Sequence, residues 1–436
     1  MRRPMSIPAP LVAVALVIVS AVGAVSAVGA VSAGAQERAV AIRGGTVMPV
    51  DGPAIPNGTV VMRGGKIVAV GANVAVPSGA TIVDARGKYV LPGLVDAMTS
   101  LGISASDMNE VSDPVTPQLR VFEAFNPFGT FGSGKIGALR MEESLSGGVT
   151  SMYIAPADAA LIGGQGAVVK TAGATLDGMV VRDPAAIDMT LGEQPKKAAA
   201  ARQRDPATRM AEVAMIRQAL VRAQEYARNK GANPNLARDL GMEALGKLLR
   251  REIPARLQAN SPTDIRSALA LAKEFDFELI IDGAASAQVY KDTLAARKVA
   301  VVLGQVSHPF VSNEEIPDRS EYPPVDESTA SKLIASGVKT ALGSFSRAFG
   351  TLAPAGSSKW ILLDASIAAG YGLSEDQVLR AVTLTPAEIL GVANRVGSIT
   401  VGKDADVLVL DGSPLSIRTW VERVYVNGEL VHQRAP

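Results

Sequence analysis

An α/β fold, a (β/α)8 barrel set between two β-rich chain ends, is what this sequence predicts. Three observations carry the prediction. The middle of the chain alternates short apolar strands with helices, each end holds a two-residue hairpin signal, and an apolar run follows Pro92-Gly93 where the middle begins. With 436 residues, 47% of them hydrophobic, the chain has ample material for one large core or two smaller ones.

The N-terminal segment stands apart. Arg2 and Arg3 precede an apolar run from Leu11 that closes on the small residues Ala33-Gly34-Ala35. This pattern is a secretory signal peptide over 1–35 with an A-x-A cleavage site, and it implies a periplasmic or extracellular protein. Residues 11–35 are also 25 uncharged residues in a row, enough to span a bilayer. An uncleaved anchor is therefore the alternative, but the Ala, Gly and Ser content favours removal, with no stable membrane anchor afterwards.

From 40 to 90 the pattern is short and β-like. Residues 59–63 and 66–70 flank Gly64-Gly65, where glycine supplies the positive φ of a two-residue hairpin turn. A second hairpin is signalled near the other end, with 421–426 and 429–432 flanking Asn427-Gly428.

The run 91–102, L-P-G-L-V-D-A-M-T-S-L-G, reads as the first strand of the barrel, its C-terminal end exposed at a mouth. Side chains alternate along a strand, so Asp96, Met98 and Ser100 share one face. Further strands fall at 255–258, 277–281, 299–303 and 339–342, with helices ending near Phe275 and Lys298. Such βα repeats predict a parallel sheet. Helix starts are marked at Ser261-Pro262-Thr263-Asp264 and at Thr385-Pro386-Ala387-Glu388, each with a capping hydroxyl, a proline and a carboxylate. Asp205-Pro206 opens a long helix whose inner face is Met210, Val213, Ile216, Leu220 and Ala223. Gly391 stops the last barrel helix.

Composition excludes several functions. Forty-three basic and 42 acidic side chains leave no strong field, so no nucleic-acid partner is expected. The absence of cysteine removes disulfides, thiolate metal sites and a cysteine nucleophile.

Several segments resemble the metal-dependent amidohydrolase superfamily. They are L-P-G-L-V-D from Leu91, G-G-V-T-S-M-Y-I-A-P from Gly147, and A-V-T-L-T-P-A-E-I-L-G followed by R-V-G-S-I-T-V-G-K-D-A-D-V-L-V-L-D-G-S-P-L near the end. G-G-Q-G-A-V-V-K-T-A-G from Gly163 is similar to a loop of the imidazolonepropionase-related branch. The resemblance covers nearly all of the chain after 35. It implies a TIM-type (β/α)8 barrel over 91–392 and a small β-sandwich built from both ends, 36–90 and 393–436. It also implies hydrolysis of C–N bonds by one or two divalent metals, commonly zinc, held by paired histidines, a lysine or glutamate, further histidines and a late aspartate. Such a metal lowers the pKa of a bound water and polarises the scissile carbonyl.

This chain departs from that pattern at the ligands. Where the family has its paired histidines stand Met98 and Ser100; a later histidine position matches Gln258, and the aspartate position matches Phe345. Only two histidines exist, His308 and His432, and the second lies in the C-terminal hairpin. A hydroxyl is a poor zinc ligand and a thioether suits soft Cu(I), so no metal cofactor is expected. An oxygen-only magnesium or calcium site using Asp96 or Asp282 has no spacing motif behind it. Asp96, Met98, Ser100, Gln258 and Phe345 then line a ligand pocket, less polar than in metal-bearing relatives, suited to an uncharged or mildly apolar ligand.

Secondary candidates for that pocket are Gln165, Lys170, Asp282 and His308. Lys170 reads as structural or pocket-lining, because a carbamylated lysine is useful mainly between metals. His308 is either a proton carrier at the mouth or a hydrogen-bonded loop residue. The glycines of 163–166 could face an anion, though no helix follows them. Residues 122–131 form either a lid or a packed aromatic loop.

Three functions follow as expectations. The favoured one is a metal-free, catalytically silent relative that binds a small ligand or a partner. The others are an exported hydrolase of C–N bonds working through an unrecognised site, and a structural subunit paired with an active relative; a homo-oligomer is the alternative to that pairing and would count against the third reading.

Overall fold

Two eight-stranded sheets carry the chain. The computed structural model describes residues 38–104, 106–128, 136–304, 326–345 and 358–435, with backbone alone at 136–140. The signal-peptide segment, His308 and the end of the aromatic stretch lie outside these residues.

The first sheet is built from both ends. Its N-terminal strands are β1 (Val40–Val47), β2 (Ile55–Arg63), β3 (Lys66–Gly71), β4 (Thr81–Asp84) and β5 (Tyr89–Pro92). The second sheet holds β6 (Leu94–Thr99), β7 (Val149–Ile154), β8 (Ile162–Lys170), β9 (Val180–Thr190), β10 (Ala255–Ala259), β11 (Leu279–Gly283), β12 (Ala300–Leu303) and β13 (Thr340–Leu342). The chain returns to the first sheet as β14 (Val407–Leu410), β15 (Val421–Val426) and β16 (Glu429–Gln433). The strand order there is β16-β15-β14-β5-β1-β2-β3, with β4 also pairing β1. Both hairpins predicted from glycine turns are present, β2 with β3 and β15 with β16. Gly64, Gly65, Asn427 and Gly428 all take positive φ, the backbone such turns require.

The second sheet runs β6 to β13 in chain order. It is a nearly closed barrel, and it departs from the all-parallel expectation at one place. β8 is antiparallel to both β7 and β9, because β7 and β8 are joined without a crossover helix. The remaining pairs are parallel. Closure between first and last strands runs through a side chain. The Asp96 carboxylate accepts hydrogen bonds from Ser344 N (2.9 Å) and Ser344 Oγ (2.6 Å), and from Ser358 Oγ. Phe345 N also donates to Met98 O at 2.8 Å.

Helix starts follow the capping chemistry in part. Ser261 accepts from Asp264 N and Pro262 opens the helix Pro262–Phe275. The long helix begins later than Asp205-Pro206 suggests: it spans Arg209–Ala232, capped by Thr208. Met210 is consequently exposed rather than on the inner face, which is formed by Ile216, Ala219, Leu220 and Ala223. The helix near Thr385 spans Leu384–Ile389, with Thr383 rather than Thr385 as its N-cap residue and no side-chain cap. Gly391 follows it with φ +69°, as a helix stop requires. Among the described residues no helix is long and apolar enough to cross a membrane.

Candidate ligand site at the barrel mouth

β8 runs against its neighbours, so its first residues reach the mouth and its last reach the opposite end. Lys170, the last, pairs with Ser151 near the start of β7. There it is buried, and Nζ lies 2.5 Å from Asp406 Oδ2 and 3.0 Å from Asp404 Oδ2. Asp404 also receives Lys66 Nζ at 2.7 Å and Arg395 Nη2 at 2.9 Å. Burial pushes the Asp404 carboxyl up, but Lys170, Lys66 and Arg395 together hold it below its ordinary value. Lys170 therefore fastens barrel to end sheet and takes no part in the mouth.

Gln165 is also withdrawn from the pocket, its Nε2 donating to Pro117 O at 3.0 Å. Ser100 is buried and donates to Ala155 O at 3.1 Å. Asp96 is the barrel's closing residue, fully buried, and burial raises its pKa against the pull of Ser344 and Ser358. Phe345 packs on Met98 beside Ile389, with φ +50°. Of the aromatic stretch, Phe122 and Phe125 stack with centroids 6.0 Å apart, and Phe125 is buried.

Three predicted residues do meet. Met98, Gln258 and Asp282 line a small cavity at the C-terminal ends of the strands, with Pro156, Gly163, Asp188, Thr190 and Arg256 among their neighbours. Its free volume is about 10 Å³, room for roughly one water or one oxygen atom of a ligand.

The chemistry of this cavity belongs to residues that the sequence reading did not single out. Arg256 precedes Gln258 by two on β10 and so shares its face. Its Nε and Nη2 donate to Asp282 Oδ2 and Oδ1 at 2.9 and 2.8 Å, a two-point ion pair. The guanidinium lies over the Tyr153 ring, 3.9 Å from its centroid. Burial disfavours the Arg256 charge, but Asp282, with Tyr153 and Asp188, outweighs this and holds its pKa above the ordinary value. Tyr153 Oη reaches both Asp188 oxygens, at 3.0 and 2.8 Å. Burial, and then the Asp188 charge, push the Tyr153 hydroxyl well above its usual range. Asp188 itself is pushed from 3.8 up to about 8 by burial, against Arg256 and Tyr153. Gln258 Nε2 donates to Asp158 Oδ2 at 3.2 Å. The mouth is thus polar, contrary to the expectation drawn from Met98 and Phe345. Period-two alternation around Gln258 is the signal that could have found Arg256.

A pH dependence follows from these buried carboxyls. Asp188 at about 8 and Glu212 at about 7, both above their ordinary values, bind protons in the folded chain that the unfolded chain has released. Their stabilisation is complete below about pH 4 and is lost as pH rises through about 7 and then about 8, with a slope of up to about 1.4 kcal/mol per pH unit for each group. Urea unfolding across this range is expected to show stability falling with pH. Asp188→Asn is expected to remove the part of the fall that continues up to about pH 8 and leave the part due to Glu212, which ends near pH 7; an unchanged profile would contradict the assignment.

An eight-stranded, nearly closed barrel with a polar cluster at the C-terminal strand ends, beside a sheet built from both ends of the chain, is a TIM-type scaffold. Comparison with known proteins places it further. A model of the amidohydrolase family matches residues 281–431. The crystal structure of an amidohydrolase from Thermotoga maritima MSB8 is 33% identical, covers 91% of this chain and 100% of its own, and superposes with a TM-score of 0.81. An amidohydrolase of Hapsidospora irregularis, tasK, is 26% identical over 81% of this chain. This chain spans only 37% of that relative's length. A 5-methylthioadenosine/S-adenosylhomocysteine deaminase of Symbiobacterium thermophilum is 37% identical over 28% of this chain and 30% of its own. The chain belongs to the amidohydrolase family.

Proposed function

We propose that this amidohydrolase-family chain binds a small molecule at the barrel mouth without a metal and without hydrolysing it. One observation carries the reading. Arg256, a guanidinium that keeps its proton, sits beside Asp188 and Asp282, where a second, divalent positive charge would be repelled.

The other donors fit a divalent metal equally poorly. Both Asp282 oxygens are engaged by Arg256, the Asp96 oxygens by Ser344 and Ser358, and the Asp188 oxygens by Tyr153. Met98 offers a thioether and Gln258 a neutral amide, neither suited to a hydrolytic metal. Among the described residues no three His, Asp or Glu side chains form a group that could hold an ion.

Elemental analysis of protein purified without chelators or a histidine tag is expected to find metal far below one per chain. Amide, cyclic-imide and urea substrates are expected to stay intact, with or without added zinc. Stoichiometric metal, or saturable turnover abolished by a chelator, would overturn the proposal.

A further inference from the structure

We propose that Glu212 is a pH-operated latch that fastens the turn 190–192, whose Thr190 lines the barrel mouth, to the start of the helix Arg209–Ala232. The latch governs how firmly the mouth is held and stands whether or not the mouth carries a metal.

Three helices begin around this turn, Glu193–Ala200, Arg209–Ala232 and Pro262–Phe275. Each carries an acid in its first turn, Glu193, Glu212 and Asp264, where the positive end of a helix favours a carboxylate. Two cations serve the three acids. Arg209 donates from Nε to Asp264 Oδ1 at 2.9 Å and from Nη2 to Glu193 Oε1 at 3.4 Å, and Lys196 Nζ donates to Glu193 Oε1 at 2.5 Å. Ser261 Oγ adds a bond to Asp264 Oδ2 at 2.6 Å. Glu212 is fully buried, and its Oε2 accepts from Gly192 N at 3.2 Å. Its Oε1 has no hydrogen-bond partner among the described residues.

The bond from Gly192 ties the outer helix to the mouth. Gly192 has φ +119°, and a methyl group there would stand 3.3 Å from Asp264 Oδ2, so the turn passes close to the carboxylates. One residue earlier, Leu191 N donates to Gln258 O at 3.0 Å. Thr190 and Gln258 both line the cavity. Glu212 therefore reaches the mouth through a turn of three residues.

Ionisation works against this arrangement. A neutral Glu212 forfeits one hydrogen bond at Oε1, whereas an ionised one is a buried charge without a cation of its own, facing the Asp264 carboxylate. Burial, with Asp264, accordingly pushes Glu212 from 4.5 up to about 7, against the pull of Gly192 N, Lys196 and Arg209. The latched form binds a proton that the carboxyl releases on reaching water. The latch thus holds below about pH 7 and loosens above it.

Hydrogen–deuterium exchange of the full chain tests this, read as protection of the Gly192 amide relative to its intrinsic exchange rate at each pH. Protection is expected to fall about tenfold between pH 6 and pH 8, the change for one carboxyl titrating near 7. Exchange there is expected to be faster than in the strand Leu279–Gly283, as a local opening requires. Glu212→Gln keeps the shape and an acceptor oxygen but cannot ionise, and is expected to flatten the profile. Lys196→Met removes a cation that favours the ionised form, so the fall is expected to move to higher pH. This second variant decides where Glu212→Gln does not fold. A flat profile in the unaltered protein, exchange no faster than in Leu279–Gly283, a fall that persists in a folded Glu212→Gln, or a fall that does not move up in Lys196→Met would each overturn the proposal. Metal analysis, which decides the metal-free reading, leaves all of these results unchanged.

Discussion

Replacing Lys170 with methionine is expected to destabilise the protein by about 3–5 kcal/mol, the loss typical of removing one partner from a buried ion pair. The side chain is 1% exposed, and methionine nearly matches its length, so packing changes little. What changes is electrostatic. Asp404 keeps Lys66 and Arg395, but among the described residues the Asp406 carboxylate is left with the hydrogen bond from Asn427 N at 3.0 Å. The uncompensated charge at Asp406 is therefore the main source of the loss. Urea unfolding measures the effect, and adding Asp406→Asn to Lys170→Met is expected to restore part of the stability. A loss below about 1 kcal/mol, the range of exposed pairs, would show that this junction is open to water.

Gly166→Ala is expected to cost about 3 kcal/mol, toward the upper end for overpacking. A methyl group there would stand 2.0 Å from Tyr153 Oη and 2.7 Å from Asp188 Oδ2. Tyr153 is fully buried and under the Arg256 guanidinium, so its ring has no room to retreat. The substitution must separate Tyr153 from Asp188 or bend β8. Gly231→Ala is the control, because nothing lies within 4 Å of its added methyl group and it sits in the helix Arg209–Ala232. That change is expected to stabilise by about 0.5–1 kcal/mol. Equal effects at the two positions in equilibrium unfolding would contradict the packing described around Tyr153.

Much of the scaffold was legible in the residues themselves. The Gly64-Gly65 and Asn427-Gly428 hairpins, the Ser261 cap and the Gly391 stop appear where local rules place them. Each depends on the conformational freedom or hydrogen bonding of a few adjacent residues. The failures are local as well. At 205–210 the proline opening was overridden by Thr208, whose hydroxyl accepts from Ala211 N, and Met210 turned outward as a result.

At the mouth, Met98, Gln258 and Asp282 line one small cavity, and the groups that set its character were not among the residues the sequence singled out. Arg256 was readable from alternation on its strand. Asp188 and Tyr153 were not, since their importance comes from burial and from each other across 35 residues.

By itself, then, the sequence determined the alternation of strands and helices, the turns and the family resemblance. Those properties reside in residue identity and short-range backbone preference. The tertiary structure alone decided that β8 runs backwards, that Lys170 is joined to Asp406 across 236 residues, and that Arg256, Asp188 and Tyr153 meet in a polar cluster. Ion pairing and desolvation depend on distance in space, which separation along the chain does not encode.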